Sequence, residues 1–256
     1  MESSEYHAAM SALAWQIELG VDECISDTAI NRYEVAATTV KAAAPDAPVA
    51  APVVQGSPRA VDAVALARAA AQAAQDLEGL RAAMAAFEHC DLKRGARNLV
   101  FSDGVPGARA MIVGEAPGRD EDREGRPFVG RAGQLLDRML AAIDLSRESS
   151  VYITNVLPWR PPQNRDPKPE EIAMMQPFLQ RHIALAGPEV LVVVGNHACQ
   201  ALLGKRGITR LRGEWTQAEG KPALPMFHPA YLLRNPAAKR EAWADLLSLR
   251  ARLRDG

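Results

Sequence analysis

The run VLVVVG at residues 190–195 decides the fold. Five apolar, mostly β-branched residues closed by a glycine are too few for a helix. They also lack the alternation of a strand with one wet face. A short, continuously apolar run of this kind is a strand covered on both sides. Three more runs share its character: RAMIVG at 109–114, VYITNV at 151–156 and LPMF at 224–227. Helical patterns separate them at about 131–144, 169–186 and 196–204, and another closes the chain at 236–253. In the first of these, Leu135, Leu136, Met139, Leu140 and Ile143 form one core-facing stripe. Strands alternating with helices predict an α/β fold, a parallel sheet with helices on both faces. In such sheets ligands sit beyond the carboxyl ends of the strands.

The chain before this pattern is different. Residues 59–88 are Ala-rich and read as one long helix, with Leu77, Leu80, Met84 and Phe87 as its apolar stripe. Residues 35–58 carry Pro45, Pro48, Pro52 and Pro58 among Ala and Val, which predicts an extended linker. Residues 1–34 form a separate N-terminal segment, with an amphipathic helix expected over 5–19 around Met10, Leu13, Trp15 and Leu19. The expected organisation is therefore 1–34, linker 35–58, and a main domain 59–256 with its core from about residue 90.

Composition narrows the function classes. With 48% apolar and 24% charged residues the chain has enough of both for a globular protein with a sizeable core. No stretch reaches the ~20 apolar residues of a membrane helix. The start, MESSEYHAAM, does not resemble a secretory signal. Cys24, Cys90 and Cys199 are far apart and form no C-x-x-C pair, so a disulfide framework is not expected and a reducing, cytoplasmic setting is. The net charge of -1 hides a split. Residues 1–110 hold 9 basic and 14 acidic side chains, and residues 111–256 hold 21 and 17. The second part could face a polyanion; a chance split is the alternative.

The residues after each strand carry the chemistry. After the first come Gly114, Glu115, Ala116, Pro117 and Gly118, a tight turn that lets backbone approach a ligand. Neither a dinucleotide fingerprint nor a phosphate-binding loop fits this spacing. Phe128 follows in a glycine-flanked loop, GRPFVGRAG at 125–133, where it either anchors the loop in the core or stacks on a flat ring. After the second strand come Asn155, which can match one edge of a nucleobase, and the stiff basic stretch RPPQNRDP at 160–167. After the last comes HPAYLLRNP at 228–236. Its His228 lies between a buried strand and a loop showing Leu232, Leu233 and Arg234, residue types that can wedge into a base stack and hold a phosphate.

GEAPG, GRPFVGRAG, YITNV…RPPQNRDP and HPAYLLRNP, in this order, resemble the motifs of the family-4 uracil-DNA glycosylases. The likeness runs from about Cys90 to the final helix. It implies a three-layer α/β/α sandwich on a four-stranded parallel sheet, and removal of uracil from DNA at the start of base-excision repair. It further implies that Gly114, Glu115, Ala116, Pro117 and Gly118 line a uracil pocket. Phe128 would stack on the flipped base, Asn155 would read its N3–H/O4 edge and His228 would face O2. Glu121 and Asn164 fall at positions used near the sugar and the attacking water. Arg160, Arg165, Tyr231, Leu232, Leu233 and Arg234 would contact DNA. Where related glycosylases place an aspartate base, Ala116 stands here, so Glu115 or Glu121 would orient the water.

The family commonly holds a [4Fe–4S] cluster on four cysteines. Of that set only Cys90 is present; Phe87, Trp159 and Met175 occupy the other positions. Such clusters need four thiolates, so a cluster-free, metal-free branch is expected. The expected partner is uracil-containing DNA, with free uracil as product, no membrane and a monomeric enzyme. Residues 1–34 are a candidate docking segment for a protein partner. The rival readings are a uracil- or abasic-DNA binding protein with little turnover, a glycosylase for other deaminated bases, and a scaffold whose N-terminal segment recruits a partner.

Overall fold

The computed structural model describes residues 62–255, together with Tyr6 and Met10. The helix expected over 5–19 and the linker at 35–58 otherwise lie outside the described residues. The sheet and its covering helices belong to the unit Arg59–Gly256.

Six strands form one sheet: β1 (Asp103–Gly104), β2 (Ala110–Gly114), β3 (Val151–Asn155), β4 (Val190–Val194), β5 (Thr216–Ala218) and β6 (Lys221–Met226). Their order is β1-β3-β2-β4-β6-β5. The four inner strands pair in parallel, as their apolar runs imply. Two short antiparallel strands, β1 and β5, extend the edges. Neither edge strand carries an apolar run, which is why periodicity does not find them.

Alternation along each strand sends side chains to two separate cores. Met111, Val113, Tyr152, Leu191, Val193 and Ala223 belong to one. That face is covered by α1 (Ala63–Ala73), α2 (Leu77–Ala86), α6 (Pro169–Ala186) and α7 (Asn196–Leu203), which contribute Ala67, Leu80, Phe178, Ile183 and Leu202. Ala110, Ile112, Val151, Ile153, Val192, Leu224 and Met226 belong to the other. There α5 (Arg131–Ala141) and α10 (Lys239–Asp255) supply Leu136, Leu140, Leu246 and Leu249. The result is the expected α/β/α sandwich. Short helices fill the connections: α3 (Leu92–Gly95), α4 (Arg119–Glu124), α8 (Ile208–Leu211) and α9 (Pro229–Arg234). Among the described residues no helix is long and apolar enough to cross a membrane.

The single helix expected over 59–88 is two helices. Asp76 takes an extended conformation and its Oδ1 accepts from the Gly79 N–H at 2.7 Å, a side-chain cap that starts α2 afresh. Arg181 of α6 donates through Nε and Nη2 to the Ala74 carbonyl at 3.0 and 2.6 Å, so an orphan acceptor at the end of α1 is satisfied. Both pieces then pack on α6.

Candidate active site

The carboxyl ends of the inner strands meet in one place. Gly114 pairs in register with Asn155, and the ladder continues past both strands: Val156 N–H donates to the Gly114 carbonyl at 2.9 Å, Leu157 N–H to Glu115 at 3.0 Å. On the other side Gly195 N–H donates to the Met226 carbonyl at 3.0 Å, which draws the end of β4 to the end of β6. A cavity of about 600 Å³ opens there. Of the residues singled out from sequence, Glu115, Ala116, Pro117, Gly118, Glu121, Phe128, Asn155, Asn164, Arg165, His228, Tyr231 and Arg234 line it.

Asn155 is buried at the last position of β3. Its amide has no hydrogen-bond partner among the described residues, yet it faces the cavity. Its oxygen and nitrogen are open to the cavity rather than sealed from solvent, so a ligand there can bond to both. Gly114 lies beneath it. A Cβ at Gly114 would stand 2.6 Å from two ring carbons of Phe128 and would also run into Asn155 Oδ1. Only glycine lets the aromatic ring and the amide sit this close.

Phe128 is 5% exposed and belongs to the core on the α5 side, so it is a core anchor that also faces the cavity. Its backbone is left-handed, φ 54°. Three contacts hold that conformation. Arg147 Nη2 donates to the Phe128 carbonyl at 2.7 Å and Nη1 to the Pro127 carbonyl at 3.2 Å. Gly133 of α5 lies against the Phe128 carbonyl, where any Cβ would collide with it. Glu121 completes the set. Its Oε1 accepts from Val129 N–H at 3.0 Å and Gly130 N–H at 2.9 Å, and its Oε2 accepts from Gly118 N–H at 3.1 Å. The carboxylate thus ties the turn after β2 to the Phe128 loop.

His228 caps α9. Its Nδ1 accepts from the Ala230 N–H at 3.1 Å, so the ring proton of the neutral form is on Nε2. Burial, with Arg234 nearby, pushes its pKa down to about 4, and the ring is neutral at pH 7. It packs 5.5 Å from the Phe128 ring at 29° and over Gly195, whose φ of 94° favours glycine.

Glu115 also lines the cavity. Burial and then the Asp166 charge push its pKa up to about 7, against the pull of Arg206. His197 Nε2 lies 3.9 Å from Glu115 Oε2 and 3.6 Å from Asp166 Oδ2. His197, Asp166, Arg206 and Arg147 carry no assignment from sequence. His197 follows β4 just as Asn155 and His228 follow their strands, and looking beyond that strand would have found it. Asp166 lies inside the quoted RPPQNRDP. Arg147 sits in a loop with no pattern to mark it.

Three residues sit differently from expectation. The segment after His228 is the helix α9 rather than a loop, and Leu232 is buried at 1% exposure in the core, so it presents no wedge. An i, i+4 turn must bury one side, and Leu232 is on it. Leu233 is half-buried and Arg234 exposed. Arg165 is held by Glu171 at 2.5 and 3.0 Å, which offsets its charge. Arg160 is not among the residues that line the cavity, but it donates to one of them, the exposed Asn164, at Oδ1 and 2.8 Å.

Phe87, Cys90, Trp159 and Met175 are all buried in one core cluster. Phe87 also packs edge-on against Phe178 at 5.4 Å. One thiol among three apolar side chains does not fit a four-thiolate cluster. Cys199 is buried elsewhere in the same core, its thiol pushed up to about 12 by burial.

The model of the uracil DNA glycosylase superfamily matches residues 101–247. A type-4 uracil-DNA glycosylase of Sulfurisphaera tokodaii is 38% identical over 68% of this chain and 83% of its own length. Those of Archaeoglobus fulgidus and Thermotoga maritima are 44% and 45% identical, over 61% and 57% of this chain and 82% and 77% of theirs. The matched span begins before β1 and ends within α10, so it contains all the strands and all the cavity-lining residues among the described residues, and the chain belongs to the uracil DNA glycosylase superfamily.

Proposed function

We infer that this chain is a uracil-DNA glycosylase that binds uracil-containing DNA, extrudes the uracil and hydrolyses its N-glycosidic bond, the opening step of base-excision repair. The observation that carries this is the unpaired Asn155 amide at the end of β3, open to the cavity beside Gly114. One amide offers an acceptor for uracil N3–H and a donor for O4. Thymine shares that edge, and cytosine reverses it.

A base in a duplex must leave the stack to reach such a cavity, at a cost of a few kcal/mol. Phe128 supplies an aromatic surface for it. Arg206 and Arg234, which form no ion pair among the described residues, stand at the cavity as phosphate contacts. Bond breaking leaves negative charge on uracil N1 and O2 and positive charge on the sugar. The neutral His228 Nε2–H is the donor for O2. Water oxygen bonds to C1′ as the C1′–N1 bond breaks, the bonding pair leaves with uracil, and the water proton passes to a base. The products are free uracil and an abasic sugar.

Glu121 acts as a positioning residue, since three backbone N–H groups occupy its carboxylate. Asn164 contacts the sugar side. Leu233 and Arg234 meet the DNA in place of the buried Leu232. The catalytic unit is residues 59–256, it works as a monomer, and it carries no iron–sulfur cluster. Supporting the last point, only Cys90 among the four ligand positions is a thiol.

The test is single-turnover release of free base from oligonucleotides carrying one uracil, thymine or hypoxanthine. Wild type should release uracil, and Asn155→Asp should lose at least about 10²-fold, since a carboxylate cannot donate to O4. No release of uracil by folded wild type, or an unimpaired Asn155→Asp, would contradict the assignment.

A further inference from the structure

Glu115, His197 and Asp166 bring their ligand-type atoms within 4.8 Å of one another on one wall of the cavity. They come from three elements: the turn after β2, the start of α7 and the loop after β3. A fourth group, Arg206, has its Nη2 3.2 Å from the His197 ring nitrogens. The loop that carries it is fixed, because Asn196 Oδ1 accepts from Gly207 N–H at 3.0 Å and Ile208 N–H at 2.9 Å.

We propose that His197, Asp166 and Arg206 are positioning residues for Glu115: together they hold its carboxyl at the cavity wall and govern its charge, so that Glu115 takes the proton from the attacking water. The proposal rests on the functional reading above and names its base.

Two groups compete for that role, and geometry separates them. Both oxygens of Glu121 are taken by backbone N–H groups. Glu115 forms no such bonds; its side chain is 28% exposed and faces the cavity beside His197. Charged and titratable groups face it from each surrounding element. Asp166, exposed on its loop, opposes ionisation of Glu115, and Arg206 favours it. His197, from α7, has its pKa lowered by burial and by Arg206, against the pull of Asp166, so it adds little positive charge beside Glu115. His228 and Glu121 line the same cavity, and Arg165 is already paired with Glu171. A carboxyl that titrates near neutrality is well matched to taking a proton from water at pH 7. In the step, a Glu115 oxygen accepts one water proton while the water oxygen bonds to C1′ and uracil leaves with the N1 electron pair. Solvent in the cavity then takes the proton from Glu115.

Arg206 beside His197 sets a positive charge against these residues, which opposes a divalent cation there. The same three side chains would serve as ligands if a cation did bind, which makes the distinction testable.

The experiment is the single-turnover rate of uracil release from about pH 5 to pH 9, in EDTA, for wild type, Asp166→Asn, Arg206→Gln and Glu115→Gln. Wild type should gain rate through an acid limb as Glu115 ionises. Asp166→Asn should move that limb to lower pH, and Arg206→Gln to higher pH, each by about half to one unit. Glu115→Gln should abolish the limb and lower the rate by about 10²–10⁴. Opposed shifts from opposite charges are not expected from loss of packing. In parallel, the 13C carboxyl shift of Glu115, followed with pH in wild type and Asp166→Asn, reads the same coupling without catalysis. Limbs that coincide or shift together, a limb that survives Glu115→Gln, or activity lost to EDTA and restored by magnesium or manganese would each overturn the proposal. Absence of uracil release by wild type at every pH would overturn the functional reading instead, while the 13C titration would still test the coupling.

Discussion

A single methyl group at Gly114 is enough to test the pocket at the scale of one residue. The added carbon would press on the Phe128 ring and on Asn155 Oδ1 together. We expect Gly114→Ala to fold and to lose about 10²-fold in uracil release, because a displacement on the order of 1 Å at the reacting centre has that effect. Wild-type rates in this variant would show that the close approach is not needed. His228 is the second such residue. Removing one preorganised donor from a developing anion costs about 10²–10³ in rate, and His228→Leu should show it in kcat at saturating substrate. The ring also sets an acid limit on stability. Its pKa is depressed to about 4 in the folded protein, against 6.5 for the free side chain. The unfolded chain therefore binds more protons between those values, and stability is lost as pH falls through that window. Glu115 works in the opposite sense. Its pKa is raised from 4.5 to about 7, so the folded state binds more protons in between, and ionising Glu115 costs stability as pH rises. Glu115→Gln should leave the thermal midpoint unchanged near pH 4 and raise it at pH 8 by several degrees, read by calorimetry. No difference between the two pH values would show that the carboxyl is not under strain.

At the scale of elements, the Phe128 loop shows how separate segments build one wall. Arg147, before β3, holds its carbonyls and also pairs with Asp103 Oδ2 at 2.7 Å and Asp137 Oδ1 at 2.8 Å. Glu121, in α4, holds its N–H groups. Glu121→Ala would leave three donors without their acceptor, at a cost of about 1–3 kcal/mol for each that stays buried. The expected result is a lowered thermal midpoint and a raised KM, with kcat/KM falling more steeply than in Glu121→Gln, which keeps one acceptor oxygen. Equal kinetics for the two variants would mean that the loop does not depend on this link.

The four inner strands and the longer helices of this layout are legible in the sequence, because a covered strand and an amphipathic helix leave periodic apolar marks; the edge strands β1 and β5 and the short helices α3, α4, α8 and α9 leave none. Helix 169–186 is read to the residue. The split between α1 and α2 is not, since it depends on a cap at Asp76 and on Arg181 reaching across from another helix. The burial of Leu232 is likewise set by what α9 packs against. In the site, Asn155 and His228 announce themselves by following a strand. Arg147, His197 and Arg206 meet their partners only once distant loops converge, so no local spacing marks them.

For the whole molecule, the two cores and the converging strand ends make a rigid base for a cavity at one pole of the sheet. The core around Phe87, Cys90, Trp159 and Met175 is filled by side chains. Protein purified without oxygen should therefore hold no stoichiometric iron and show no band near ~400 nm, and finding both would contradict a cluster-free enzyme. Phosphate contacts should make DNA binding weaken steeply with salt. Removing residues 1–58 should spare uracil release, since the described residues that line the cavity lie beyond them.

The most direct measurement is the single-turnover rate on oligonucleotides whose one target base is uracil or a 5-substituted uracil of graded N1 acidity, for wild type and His228→Leu. If the pocket stabilises the departing anion, free base is released and wild-type rates depend only weakly on leaving-group acidity. His228→Leu should be slower, with a steeper dependence. No free base from folded wild-type protein, or parallel slopes for the two, would contradict the account.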